Sequence, residues 1–123
     1  MIAIIDYNAG NLTSVRLGFE AIGVDAVATQ DPAVIMSAER VVFPGVGAAG
    51  AAMSHLENMG LADVINAVVD AGTPFLGICL GTQIMLSHSE EDEGTPCLGL
   101  LAGEVRLFSP NAPHDKVPHM GWN

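Results

Sequence analysis

The chain has 123 residues with 14 Asp and Glu against 4 Lys and Arg, a formal net charge of −10, and half of its residues are hydrophobic. That length predicts one domain able to bury roughly two-thirds of its unfolded surface, and 15% charged residues is too few for a disordered segment. Four basic side chains, Arg16, Arg40, Arg106 and Lys116, cannot build a patch for a phosphate backbone, so a nucleic-acid partner is excluded.

In chain order, the apolar run Ile2–Ile5 reads as a strand. It lacks a positive flank and meets Asp6 at once, so it does not read as a signal peptide. Asn11 is placed to cap a helix carrying Val15, Leu17, Phe19 and Ile22, and Gly23 sits just past its end. Strands are predicted at residues 25–28, 40–43 and 75–78. Residues 61–71 show a helical pattern, apolar at 61, 64, 65 and 68, that stops at Gly72, and Pro74 sets up the following strand. Alternating short strands and helices predict βα units around a parallel sheet.

No stretch reads as a membrane span, because residues 41–53 are broken by Pro44 and glycines and residues 61–80 contain Asp63, Asn66 and Asp70. A cytoplasmic setting is the default, in which Cys79 and Cys97 stay reduced. The acidic run Glu90-Glu91-Asp92-Glu93 reads as a solvated surface loop, since four successive side chains cannot converge on a metal. Residues 103–108 and 117–119 read as two further strands. The chain then stops at Trp122-Asn123 with no polar tail, an odd place for a complete domain to end.

The chemistry concentrates at Gly77-Ile78-Cys79-Leu80-Gly81, where a strand runs into G-x-C-x-G and then a helix. This is the cysteine form of a nucleophile elbow. The turn is so tight that side chains at 77 or 81 would clash, and the nucleophile is held in a strained backbone. Cys79 is thereby exposed at a helix N-terminus, which favours a thiolate, with the Leu80 N–H aimed where an oxyanion would form. The bland alternative is a small buried Cys in a glycine-rich packing site. A second loop, Pro44-Gly45-Val46-Gly47, follows another strand and comes to the same sheet edge, where its backbone N–H groups can supply a second oxyanion donor.

These two loops resemble the class I glutamine amidotransferases. So do the opening Asp6-Tyr7-Asn8-Ala9-Gly10-Asn11-Leu12, the stretch 99–108, and the closing Pro118-His119-Met120-Gly121-Trp122-Asn123. The opening and closing segments are most similar to the glutaminase subunits that serve imidazole glycerol phosphate synthase in histidine biosynthesis. The resemblance implies an α/β fold with a mostly parallel sheet flanked by helices, flavodoxin-like, here a single domain (1–123) cut short at its C-terminus.

It implies that Cys79 attacks the carboxamide of L-glutamine to give a thioester and ammonia. Leu80 and the peptide joining Gly45 and Val46 then form the oxyanion hole, the latter after a peptide flip triggered by the partner. Gly47 and Gln83 bind glutamine. Asn8 and Asn11 lie where such subunits meet the cyclase barrel of a heterodimer. No cofactor or metal is implied. The family's general base is a His, oriented by a Glu two residues on, far downstream of the elbow, and that part of the pattern has no counterpart here. His55, His88, His114 and His119 read as structural or solvated, with His119 at the core or edge of the closing motif. The chain alone is therefore expected to be weak or inactive. Two competing readings are a glutaminase subunit of another synthase and a noncatalytic cysteine redox or binding module.

Overall fold

The computed structural model describes residues 1–110 and 116–122. The elements run β1 (Ile2–Ile5), α1 (Leu12–Ala21), β2 (Ala26–Thr29), α2 (Pro32–Ser37), β3 (Arg40–Phe43), α3 (Ala49–Asn58), α4 (Leu61–Asp70), β4 (Phe75–Gly77) and α5 (Leu80–Ile84). Three short strands follow: β5 (His88–Ser89), β6 (Thr95–Pro96) and β7 (Glu104–Val105).

The first four strands form one parallel sheet in the order β2-β1-β3-β4. The order reverses at β1, so β1 and β3 diverge into separate connections and leave a crevice at their carboxyl ends. Side-chain alternation divides the core. Ala3, Ile5, Val41 and Phe43 face a layer built from α2 to α5, where Ile35, Leu56, Leu61, Ile65 and Ile84 are fully buried. Ile2, Ile4 and Val42 face α1, against Leu12, Val15 and Phe19. That second face is thinly covered: α1 buries no residue completely, and Leu76, level with Val42, is 54% exposed.

The local signals behave as expected where they are strong. Asn11 caps α1, its side-chain oxygen accepting from the Ser14 N–H at 3.2 Å, and Gly23 and Gly72 end α1 and α4 with φ of +71° and +77°. Helix α2 was not anticipated, although Asp31 accepts from the Ala33 N–H at 2.9 Å and Pro32 occupies its first turn. Six residues are too few to show a periodicity.

The C-terminal strands differ from expectation. Only Glu104–Val105 of residues 103–108 pairs, in a small sheet ordered β6-β5-β7. The Leu107 N–H donates to the Glu90 carboxylate at 2.7 Å instead of to a neighbouring strand. Residues 117–119 are exposed irregular chain, and Pro118 has no N–H to offer a ladder. His119 is accordingly exposed, not a core histidine. His114 and Asn123 lie outside the described residues. No helix among the described residues is long and apolar enough to cross a membrane.

Candidate functional site

The carboxyl ends of β1, β3 and β4 carry the residues that the sequence singled out. From β4 the chain turns through Ile78 and Cys79 into α5, with Cys79 exposed at φ +54° and ψ −122°, a backbone conformation strained for any side chain. Its neighbours hold it there. The Ile78 N–H donates to the Phe43 carbonyl at 3.0 Å, and the Gly81 N–H closes the turn on the Ile78 carbonyl at 3.0 Å. A Cβ at Gly81 would collide with the Phe43 carbonyl oxygen and stand 2.8 Å from its carbon. One at Gly77 would stand 2.6 Å from Met85 Sδ and 2.8 Å from Thr82 Cα. Both flanking glycines are therefore required by close approach. Helix α5 is only five residues long, and the segment after Cys97 takes over its far end, Leu98 N–H donating to the Ile84 carbonyl at 2.9 Å.

Opposite Cys79, β3 runs into the loop 44–47. The Leu80 N–H, the first expected oxyanion donor, donates to the Gly45 carbonyl at 3.2 Å. The Gly45–Val46 peptide thus presents its oxygen, not its N–H, to the elbow, so the expected second donor does not face Cys79 in this structure. Gly45 is wedged tightly, since a Cβ there would collide with the Tyr7 hydroxyl and stand 2.9 Å from the Gly81 nitrogen. Gly47 is open, at φ +99° with nothing within 4 Å of a built Cβ, and Val46 is exposed.

Gln83 is half-buried on α5, its N–H bonded to the Cys79 carbonyl at 3.2 Å. Asn8 sits past β1 at φ +63°, its amide 3.8 Å from Met59 Sδ. Asn11 is engaged as the α1 cap.

Three residues emerge that the sequence reading did not assign. Tyr7 is buried at the end of β1, donates its hydroxyl to the Pro44 carbonyl at 2.6 Å and packs on Phe43 at 5.1 Å between ring centroids. Burial, and secondarily the charge of a nearby Cys79 thiolate, push its pKa well above the usual tyrosine value. Glu91 and Asp92 are the others. The acidic run is not merely a solvated loop: Glu91 Oε2 accepts from the Ala49 N–H and Asp92 Oδ2 from the Gly50 N–H, each at 2.9 Å. They cap α3, whose own N-cap residue, Ala48, has no side-chain acceptor. Glu90 accepts from Leu107, as above. No local signal marks this role, since donor and acceptor are 42 residues apart.

The spacing His-x-Glu does occur, at His55 with Glu57 and at His88 with Glu90. Neither is hydrogen-bonded to Cys79: His55 is half-buried on α3, and His88 lies in β5 against Gly94.

The chain matches the family described as "Glutamine amidotransferase class-I" over residues 3–123. Among similar proteins named "Imidazole glycerol phosphate synthase subunit HisH", that of Nitratidesulfovibrio vulgaris strain DP4 is 53% identical over 129 residues, covering 100% of this chain and 60% of its own length. The protein of that name from Methanothermobacter thermautotrophicus is 50% identical, again over 100% of this chain and 60% of its own length. The chain thus spans about three-fifths of the curated relatives it matches. A solved structure titled "Crystal structure of glutamine amidotransferase" superposes with a TM-score of 0.68 at 16% identity, covering 85% of this chain and 56% of that one. That likeness supports the α/β fold with its mostly parallel sheet. With the family match running through both the opening segment and the elbow, this chain belongs to the class I glutamine amidotransferases.

Proposed function

We propose that residues 1–123 are the N-terminal portion of a single glutaminase domain that releases ammonia from L-glutamine for the cyclase subunit of imidazole glycerol phosphate synthase. The name shared by the similar proteins supports that assignment. The observation that carries the chemistry is Cys79, exposed at φ +54° on a turn whose next amide is held by the Gly45 carbonyl. A thiolate there attacks the carboxamide carbon, forming the C–S bond and placing negative charge on the oxygen. The Leu80 N–H stabilises that charge once the Gly45–Val46 peptide has turned over, and the Val46 N–H then replaces the carbonyl. Collapse of the intermediate expels ammonia, and water hydrolyses the thioester to glutamate and the free thiol.

Gly47 and Gln83, on either side of Cys79, hold the glutamine. Asn8 and Asn11, at the same sheet edge, face the cyclase in a cytoplasmic heterodimer. The chain needs no cofactor. Proton transfer falls to a His-x-Glu pair with no counterpart opposite Cys79 here, so these residues alone turn over glutamine weakly or not at all.

The test is labelling of Cys79 by a glutamine-like chloromethyl ketone. Protection by glutamine is expected. Oxidation by peroxide with no glutamine protection would instead establish the redox module.

A further inference from the structure

Resting on the glutaminase reading, we propose that Glu91 and Asp92 are positioning residues for the oxyanion loop, acting through the first two amides of α3. The loop 44–47 is tethered at both ends. On one side Pro44 is buried and its carbonyl accepts the Tyr7 hydroxyl at 2.6 Å. On the other, α3 begins with an alanine at its N-cap, which leaves its first amides without a local acceptor. The acidic turn supplies both acceptors, at 2.9 Å each.

Several features show that this junction is specifically built. Gly50 admits Asp92 because a Cβ there would stand 2.7 Å from its Oδ2. Asp92 and Glu93 adopt φ of +54° and +63°, two successive non-glycine residues in the left-handed region, which persists only where surrounding bonds over-determine it. Glu91 is held in turn: its N–H donates to the fully buried Ser89 hydroxyl at 3.2 Å, and its carbonyl accepts from Thr95 Oγ1 at 3.0 Å.

The turn belongs to the segment that begins at Cys79 and runs through α5 and β5. One stretch of chain therefore carries the nucleophile at its start and, twelve residues later, the clamp on the loop that faces it. With Pro44 fixed on one side and Ala49 and Gly50 on the other, a rotation of the Gly45–Val46 peptide turns ψ of Gly45 and φ of Val46, and the remaining displacement falls on Gly47 and Ala48. Gly47, at φ +99° with open space around it, has the freedom to do so. The clamp confines the flip to those residues and returns the donor to one place.

The experiment uses the 123-residue chain. Asp92→Gly removes the acceptor while tolerating the left-handed backbone, and Asp92→Asn keeps both an acceptor oxygen and that tolerance; Glu91→Ala and Glu91→Gln make the parallel pair. Two readouts are taken: amide hydrogen exchange by NMR at Gly47 to Gly50, and the ratio of Cys79 labelling by a glutamine-like chloromethyl ketone to labelling by iodoacetamide. Only the ketone passes through an oxyanion, so the ratio reports the loop and cancels general changes in thiol reactivity.

Asp92→Gly and Glu91→Ala should raise exchange at Ala49 and Gly50 about fivefold to tenfold, the scale of a lost cap. They should lower the ratio about a hundredfold, the scale of a misplaced catalytic donor. Exchange in β1 and β3 should be unchanged, and the Asn and Gln variants should stay close to wild type. An unchanged ratio in both acceptor-free variants would overturn the proposal, as would Asn behaving like Gly. Absence of glutamine protection of Cys79 in the wild-type chain would sink the glutaminase reading without touching the clamp, which unchanged exchange at Ala49 and Gly50 in the acceptor-free variants would overturn.

Discussion

Gly81→Ala tests the close approach on which the elbow depends. The added Cβ would collide with the Phe43 carbonyl oxygen and lie 2.8 Å from its carbon and 3.1 Å from that of Pro44, so relief requires β3 and the elbow to separate until those contacts reach 3.4 Å. These are backbone atoms at the end of a buried strand, with no rotamer to change. Overpacking of this kind costs about 1–3 kcal/mol. The same movement stretches the 3.0 Å bond from the Ile78 N–H to the Phe43 carbonyl, adding about 1 kcal/mol. A loss of about 3 kcal/mol is expected, and at this chain length it lowers Tm by about 12 °C. Gly47→Ala is the control, with open space but φ +99°, and should cost about 1–2 kcal/mol. Urea unfolding of the two variants alongside wild type measures both. A Gly81→Ala chain as stable as Gly47→Ala would show that β3 and the elbow are not in the contact described, and the geometry around Cys79 would have to be redrawn.

Tyr7→Phe should cost about 1–2 kcal/mol in urea unfolding, because it leaves the Pro44 carbonyl buried without its donor. Tyr7 also creates a pH dependence. Its folded pKa is raised above the ordinary 10.0, first by burial and then by Cys79, so the folded state holds the proton more tightly than the unfolded chain. That contribution is complete below pH 10.0 and is lost as pH rises beyond it. The difference in unfolding free energy between wild type and Tyr7→Phe should therefore shrink above that pH; curves that stay parallel contradict the buried phenol. Asn11→Ala should destabilise by about 1 kcal/mol through loss of the α1 cap, read from the change in urea midpoint at constant m-value. Cys79→Ser should abolish glutamine-protected labelling while leaving the unfolding midpoint nearly unchanged, since the side chain is exposed and makes no capping bond. A large loss of stability would assign Cys79 a packing role instead.

What could be read in one dimension was whatever depends on neighbours in the chain. The strands of the parallel sheet, the Asn11 cap, the glycine ends of α1 and α4 and the G-x-C-x-G turn all arise from local conformational preference and periodicity, and each sits within a residue or two of its expected place. The need for glycine at 77 and 81 was foreseeable because a strand-to-helix turn crowds its own flanks, although the atoms that crowd Gly81 come from β3. Residues 117–119 were misread for the opposite reason. They read as a strand from their own sequence, but a strand exists only if another backbone is present to pair with it, and Pro118 cannot donate.

Tertiary structure alone decided the rest. Four acidic residues in a row predict solvation when only their own charge is considered. Folding brings two of them to the bare N-terminus of a helix 42 residues earlier, where unbonded amides and the helix dipole attract carboxylates. Tyr7 is one aromatic residue in a short motif until β1 and β3 pair and set its hydroxyl under the Pro44 carbonyl. The state of the oxyanion loop has the same origin. Sequence placed Leu80 and Gly45 at one edge of a sheet, but a hydrogen bond between them depends on how two separate strand ends meet, and that is a property of the packed molecule.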